Sequence, residues 1–108
     1  DLKTTTDISI LEKFSNSNSL ITKLIIIKNP ATPIYVLEKM FYGDNTFIFL
    51  QKAIASSTSI PSKTLKEFYK YSQTLNRFSN LLSKAIMSNP NWKLSEFEWY
   101  LDQYLTIK

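Results

Sequence analysis

The side chains best suited to chemistry in this chain are a run of cations. The segment from Lys63 to Lys84 contains five basic residues and a single acidic one, Glu67, and two tyrosines lie among them. Such a cluster could contact a phosphate backbone, with an affinity that falls steeply as salt rises. The ordinary alternative is a solvated helix face that only keeps the protein in solution. The five basic residues are Lys63, Lys66, Lys70, Arg77 and Lys84.

The acidic side chains offer no comparable pattern. No Asp or Glu pair forms a recognisable catalytic motif, and Glu96 and Glu98, two apart on a predicted helix, point in different directions. The chain has no histidine and no cysteine, which excludes zinc clusters, disulfides, thiol nucleophiles and histidine-based acid–base catalysis. Its one glycine excludes a glycine-rich phosphate loop. We therefore expect a protein that is not an enzyme and that carries no cofactor or metal.

The overall composition fits one small folded domain. A chain of 108 residues, of which 44% are hydrophobic, can bury a core without metals or disulfides. The scarcity of glycine disfavours the many tight turns of an all-β sandwich, and no apolar run approaches the roughly 18–20 residues that span a bilayer. The chain begins at Asp1 without a signal or transit pattern. We expect a single domain over residues 1–108, located in the cytoplasm and excised from a longer chain.

Proline-containing breaks divide the chain at regular intervals. The segment NPATP, residues 29–33, has weaker counterparts in STSIP, residues 57–61, and NPNWK, residues 89–93. Proline cannot continue a preceding helix and has the right φ for the start of the next one. Each break therefore predicts a helix end followed at once by a helix start. At the first break we expect the Thr32 hydroxyl to cap a helix that begins at Pro33.

Aligning the breaks also aligns apolar positions on both sides of them. Ile26, Ile54 and Ile86 coincide before the breaks, and Leu37 coincides with Leu65 after them. These segments have helical periodicity and are of two kinds, here named B helices before a break and A helices after it. The pattern predicts helices over residues 8–15, 20–28, 33–42, 46–56, 62–72, 77–88 and 94–106. A buried strand is the alternative for residues 20–28, because isoleucine favours strands.

The same alignment predicts which side chains form the core. A pair of helices this small cannot bury its own apolar face, so neighbouring pairs must complete the core. The sequence therefore predicts an all-α protein, an α-solenoid of three to four stacked helix pairs. The predicted core consists of Leu11, Phe14, Leu24, Ile26, Leu37, Met40, Phe41, Leu50, Ile54, Leu65, Phe68, Leu82, Ile86, Phe97, Tyr100 and Leu101.

The breaks and their flanks resemble a known family. NPATP followed by VLEKM, and AIMSNPNW followed by an amphipathic helix, are similar to the repeat unit of the bacterial leucine-rich repeat variant proteins. The likeness extends over residues 6–105. It implies a right-handed superhelix akin to armadillo and HEAT arrays, and it carries over no catalytic residue.

A stacked array of this kind offers its concave face for binding. We assign that face to the B helices, where Lys52 aligns with Lys84 and Lys23 aligns with the neighbouring Gln51, so that the three lysines are expected on one side. The favoured function is a scaffold for protein–protein interaction through the concave face, with a protein or peptide as partner. The alternative is a nucleic-acid-binding module that uses the basic surface. An aromatic stripe near the C-terminus, Phe97, Tyr100, Leu101 and Tyr104, is predicted to be core, with self-association as an alternative role.

Overall fold

The polypeptide folds into short helices joined by tight turns. The computed structural model describes residues 1–43 and 47–92, together with Leu101, Tyr104 and Leu105. In this described part there is no strand, and none of the helices is long and apolar enough to cross a membrane. The prediction of an all-α protein is confirmed. The helices are α1 (Ile8–Ser15), α2 (Leu20–Lys28), α3 (Ile34–Phe41), α4 (Ile48–Ala55), α5 (Ser62–Ser72) and α6 (Ser79–Met87).

The helix boundaries follow the sequence signals closely. Helices α1, α2 and α5 have the predicted bounds, and α3, α4 and α6 begin and end within two residues of them. Residues 20–28 form a helix rather than the alternative strand. The Ser19 side chain caps this helix by accepting a hydrogen bond from the N–H of Thr22 at 3.3 Å. The helix predicted over residues 94–106 lies largely outside the described residues.

Consecutive helices pair, and the pairs pack against one another. Helix α1 packs on α2, α3 on α4, and α5 on α6; between pairs, α1 contacts α3, α2 contacts α4, and α4 contacts α6. The B helices α2, α4 and α6 therefore form a continuous layer, against which the A helices lie. The whole measures 52 × 28 × 18 Å. Because each connection is short, the A helices end and the B helices begin along one edge, and the breaks lie along the opposite edge.

The core lies between the A helices and the B helices, and both contribute buried side chains. Ile26, Ile54 and Ile86, which coincide in the alignment of the breaks, are all fully buried, and so are their neighbours across the layers, Leu37 and Leu65. The buried side chains form one continuous hydrophobic cluster. The alignment therefore identifies the centre of the core correctly.

Two of the predicted core residues are wrong. Phe14 is 41% exposed and Leu101 is 47% exposed. Phe14 is half a turn away from Glu12, which accepts a hydrogen bond from Tyr35 of α3, so its ring lies on the side of α1 that faces away from α3. Leu24 is only partly buried. Phe97 and Tyr100 lie outside the described residues. The prediction missed the buried side chains of Ile27, Val36, Ala55, Ile60 and Trp92.

The first break is held by the side chain of Asn29, which is 4% exposed. Its Oδ1 accepts a hydrogen bond from the N–H of Ala31 at 2.8 Å. Its Nδ2 donates to the carbonyl oxygens of Leu2 and Thr5, each at 3.0 Å. One carboxamide thus closes its own turn and ties it to the segment before α1.

The third break repeats this arrangement. Asn89 Oδ1 accepts from the N–H of Asn91 at 2.9 Å, and Asn89 Nδ2 donates to the carbonyls of Ala55 and Ser57 at 2.7 and 2.8 Å. A buried polar side chain is stable only when its hydrogen bonds are made, and this one makes three. The carboxamide therefore links the turn after α6 to the turn after α4.

The predicted helix cap at the first break is corrected by the structure. Helix α3 begins at Ile34, and Pro33 occupies the cap position without a side-chain hydrogen bond. The Thr32 hydroxyl is buried and donates instead to the carbonyl of Ile26, at 2.6 Å. It is therefore a second donor to a carbonyl at the end of α2, which also accepts from the N–H of Asn29 at 3.2 Å.

Candidate functional site

An open hollow lined by aromatic side chains lies at the edge where α3 and α5 end and α4 and α6 begin. Its volume is about 600 Å³. A concave surface of this size that combines aromatic rings with a few polar groups is typical of a binding site. We call it the aromatic hollow. The residues that give it its character are Tyr42, Phe47, Phe49, Tyr71, Arg77 and Phe78.

A stack of two buried rings packs against Tyr42 and Tyr71, which line the hollow. Phe41 at the end of α3 and Phe68 of α5 are fully buried, with ring centroids 3.8 Å apart and an interplanar angle of 10°. Tyr42 and Tyr71 meet Phe41 edge-on, at 5.0 and 5.4 Å between centroids. Edge-on aromatic pairs add to the energy of area burial. The buried stack therefore supports both tyrosine rings from behind.

Buried hydrogen bonds fix the walls of the hollow. The Gln51 side-chain amide donates to the carbonyl of Phe41 at 3.0 Å, which ties α4 to the end of α3. In the next pair, the hydroxyls of Ser72 and Ser83 lie 2.8 Å apart, and Gln73 donates to Ser83 at 3.0 Å. These bonds tie α6 to the end of α5, so the loop that joins the two helices leaves α5 in a defined direction.

Phe78 forms one rim of the hollow in an unusual backbone conformation. Its φ of 62° and ψ of 9° are left-handed, a region that costs a bulky residue about 1–2 kcal/mol. The ring is nevertheless 50% exposed, and the Arg77 guanidinium lies 5.4 Å from its centroid. Backbone strain of this kind concentrates at functional sites. Little burial in this structure offsets the strain at Phe78.

Replacing Phe78 by glycine is expected to leave the protein as stable as before, or more stable. Glycine adopts the left-handed conformation without strain, which offsets its larger entropy in the unfolded state. Phe47→Gly is the matched control, because Phe47 holds the same cap position before α4 with an ordinary φ of −85°. Urea denaturation should show Phe78→Gly to be more stable than Phe47→Gly by about 1–2 kcal/mol. Equal effects of the two changes would contradict strain at Phe78.

The charges around the hollow are unevenly placed. Burial raises the pKa of the Tyr42 phenol above its usual value, and the carboxylates of Glu67 and Glu38 raise it further. Tyr42 is therefore a neutral hydrogen-bond donor at physiological pH. Lys70 lies 3.9 Å from Glu67 and partly balances that acid. Arg77 supplies positive charge at the rim formed by Phe78.

Of the predicted basic site residues, Arg77 lines the hollow. Lys63 and Lys70 are exposed along the outer face of α5, and Lys66 is half-buried on the same face. These three side chains lie opposite the buried stripe of α5, as the helical spacing predicts. Whether this basic face binds a phosphate stays a prediction.

The B-helix lysines do not all occupy equivalent positions. Lys52 is half-buried and Lys84 is exposed, each one residue beyond a buried polar side chain, Gln51 or Ser83. Lys23 is half-buried and aligns with those buried side chains rather than with the other two lysines. One residue is about 100° around a helix, so by this alignment Lys23 is offset by that angle from Lys52 and Lys84. Their role in binding stays a prediction.

The described residues contain no group of three or more acidic or histidine side chains that could hold a metal ion. No protein-family model, curated protein or solved structure gives a significant match to the chain. The resemblance to leucine-rich repeat variant proteins therefore stays a prediction, and the function is inferred from the site.

Proposed function

We propose that this chain is a non-enzymatic helical-repeat module, an α-solenoid of stacked helix pairs, that binds a partner protein. The observation that carries the proposal is the aromatic hollow. Phe47 and Phe78 expose 61% and 50% of their surface in the same hollow as Tyr42 and Tyr71, whose rings pack edge-on against the buried Phe41. Aromatic and arginine side chains dominate the energy of protein interfaces, because they bury large apolar areas at little cost in side-chain entropy. A partner that covers these rings would remove apolar surface from water.

The chemistry of the hollow points to an extended peptide segment with an acidic residue. Arg77 at the rim can bind a carboxylate through two hydrogen bonds. The hydroxyls of Tyr42 and Tyr71 can donate to backbone carbonyls of an extended chain. A polyanionic strand fits less well, because Glu38 and Glu67 lie close enough to Tyr42 to act on its titration. This charge pattern favours a peptide with one carboxylate over a run of phosphates.

Reversing the charge of Arg77 should reverse the charge preference of bound peptides. A random peptide library displayed on phage should yield ligands for the wild type that carry Asp or Glu at one fixed position. A charged hydrogen bond contributes enough that Arg77→Glu should weaken these ligands about tenfold, measured by fluorescence anisotropy, and strengthen variants with Lys at that position. Lys70→Glu, an exposed cation outside the hollow, is the control and should change affinity little.

Three outcomes, from this experiment and from two further binding measurements, would contradict the proposal. Unchanged affinity in Arg77→Glu would exclude the hollow as the site. Loss of binding in a triple variant of Lys23, Lys52 and Lys84 to glutamate, with Arg77→Glu unaffected, would place the partner on the predicted concave face. Salt-sensitive binding of labelled DNA by the wild type, lost in Lys63→Glu with Lys70→Glu, would favour the nucleic-acid alternative, which rests on the exposed basic face of α5.

A further inference from the structure

The second break has the same turn as the other two but a shorter side chain. Ser57 takes the position of Asn29 and Asn89. Its Oγ accepts a hydrogen bond from the N–H of Ser59, two residues later, at 3.2 Å. The Oδ1 atoms of the two asparagines accept from the N–H two residues later in the same way. The N–H of Ile60 bonds to the Ser57 carbonyl at 3.3 Å and closes the turn. Serine has no amide group to reach the turn before it. The link between neighbouring turns that a carboxamide makes elsewhere is absent from the Ser57 side chain.

A cleft lies at this junction. Its volume is about 360 Å³. On one side are the end of α2 and the first break, and on the other side are the end of α4 and the second break. One wall includes Ile27, Lys28 and Pro30, and the other is formed by hydroxyl-bearing residues, Ser56 to Ser59. At the next junction the corresponding space is entered by two carboxamides, of Asn89 and Asn91.

The neighbouring junction shows what chemistry such a cleft accepts. There, Asn89 Nδ2 donates to the carbonyl of Ala55 at 2.7 Å, and Asn91 Nδ2 donates to the carbonyls of Thr58 and Ile60 at 3.2 and 2.7 Å. A shift of 28 residues, the spacing of the first two breaks, carries Ala55 to Ile27 and Thr58 to Pro30. Both of these residues line the cleft. Two of the four residues whose carbonyls accept carboxamides at the neighbouring junction therefore have counterparts in the lining of the cleft. The counterparts of the other two, Asn29 and Thr32, are not lining residues.

We infer that the cleft at Ser57 binds a primary carboxamide supplied by another molecule, such as an Asn or Gln side chain of a partner. The two N–H groups of the amide would donate to carbonyls of the Ile27 to Pro30 wall, and its oxygen would accept from a hydroxyl of the opposite wall. A carboxylate lacks those donors and would face carbonyl oxygens on that wall, where the Lys28 ammonium is the one cation among the lining residues. The cleft lies at the edge of the molecule opposite the aromatic hollow, so the inference does not depend on the proposed function.

The test is a nuclear magnetic resonance titration of the labelled full chain with acetamide. A probe with so few atoms binds weakly, so millimolar concentrations are needed. We expect saturable shifts confined to the backbone amides of residues 27–29, 31 and 56–60, and no such shifts with N,N-dimethylacetamide, which has no N–H. Blocked asparagine and blocked glutamine distinguish a side chain on a peptide from a free small amide, and tighter binding of either identifies a protein partner as the source. Equal shifts with both acetamides, or shifts spread over the surface, would overturn the inference.

The Ser57→Asn variant tests the same site from within the chain. Its own carboxamide should occupy the cleft, abolish the acetamide response and raise the melting temperature by about 4 °C. Ser57→Asp has nearly the same shape without the donors, and it should give no rise. Ser57→Ala keeps the cleft open and should keep the acetamide response. An undiminished acetamide response in Ser57→Asn, or equal melting temperatures for the Asn and Asp variants, would contradict a carboxamide site.

Discussion

Truncating Phe68 to alanine is expected to lower the free energy of unfolding by about 3–5 kcal/mol. Phe68 is fully buried, and its ring stacks on Phe41 of the preceding helix pair at 3.8 Å. The ring of Tyr42 also packs edge-on against it, at 5.8 Å. The two pairs meet at this stack, so the cavity cannot be closed by the movement of one side chain. The cost should therefore lie towards the upper end of the range for a buried phenylalanine.

Urea denaturation followed by far-ultraviolet circular dichroism measures this loss. Phe49→Ala is the matched control, because Phe49 is 42% exposed and its ring stacks on the exposed ring of Phe47 at 5.9 Å. The control should cost less than about 1 kcal/mol. Similar losses in the two variants would show that the Phe41–Phe68 stack does not hold α3 against α5. Phe68→Leu should recover part of the loss, since it restores most of the buried apolar volume.

The helices were predictable because their signals are local. Proline at residues 30 and 61 ends one helix and permits the next, and apolar periodicity defines the buried face between breaks. Isoleucine-rich residues 20–28 had an alternative as a strand, and the packing of α2 against α1 and α4 decides for a helix. Phe14 was misassigned for a related reason. Periodicity shows that a face is apolar, but not whether a neighbour covers it.

The aromatic hollow could not be predicted from the sequence. Its rings come from the ends of different helices, and Phe47 and Phe78 are cap residues outside any helical period. Only the stacking of one helix pair on the next brings them near Tyr42. The one predicted site residue that lines the hollow, Arg77, was selected for its charge. The available signal was an excess of aromatic residues where the A helices end, and their structural role emerges only from the tertiary contacts.

The asparagines of the breaks were visible in the sequence, but their long-range role was not. Asn29 and Asn89 precede proline at aligned positions, which suggested local helix termination. The structure adds hydrogen bonds to the previous turn, 24–27 residues earlier for Asn29 and 32–34 residues earlier for Asn89. Local sequence patterns do not encode such distances. The same side chain therefore serves both the turn and the contact between neighbouring turns.

Replacing Asn89 by alanine should consequently cost roughly 2–4 kcal/mol of stability. The change removes three buried hydrogen bonds, leaves the carbonyls of Ala55 and Ser57 without that donor, and opens a cavity. Asn29→Ala is the matched comparison. Its carboxamide makes equivalent bonds, but to Leu2 and Thr5 in the segment before α1, which is only partly buried and packs on the core through Leu2. Its cost should be smaller, and equal costs would contradict a central role for the Asn89 link.

Asp has nearly the shape of Asn but lacks its N–H donors. The pH dependence of the stability of Asn89→Asp therefore tests the hydrogen bonds of Asn89 apart from the shape of the side chain. The introduced carboxyl would place an oxygen where Nδ2 lies 2.7 and 2.8 Å from two carbonyl oxygens. Burial and those dipoles disfavour the charged form, so the pKa of the carboxyl should be higher in the folded protein than the unfolded value of about 3.9. A raised folded pKa gives stability that is fully present below the unfolded pKa and is lost as the pH rises through the folded one.

The variant should therefore gain stability relative to the wild type as the pH falls from neutral towards about 4, whereas Asn89→Ala should show no such gain. Urea denaturation of all three proteins across this pH range measures the difference. A parallel pH dependence for the two variants would mean that the Asn89 amide does not face the two carbonyls.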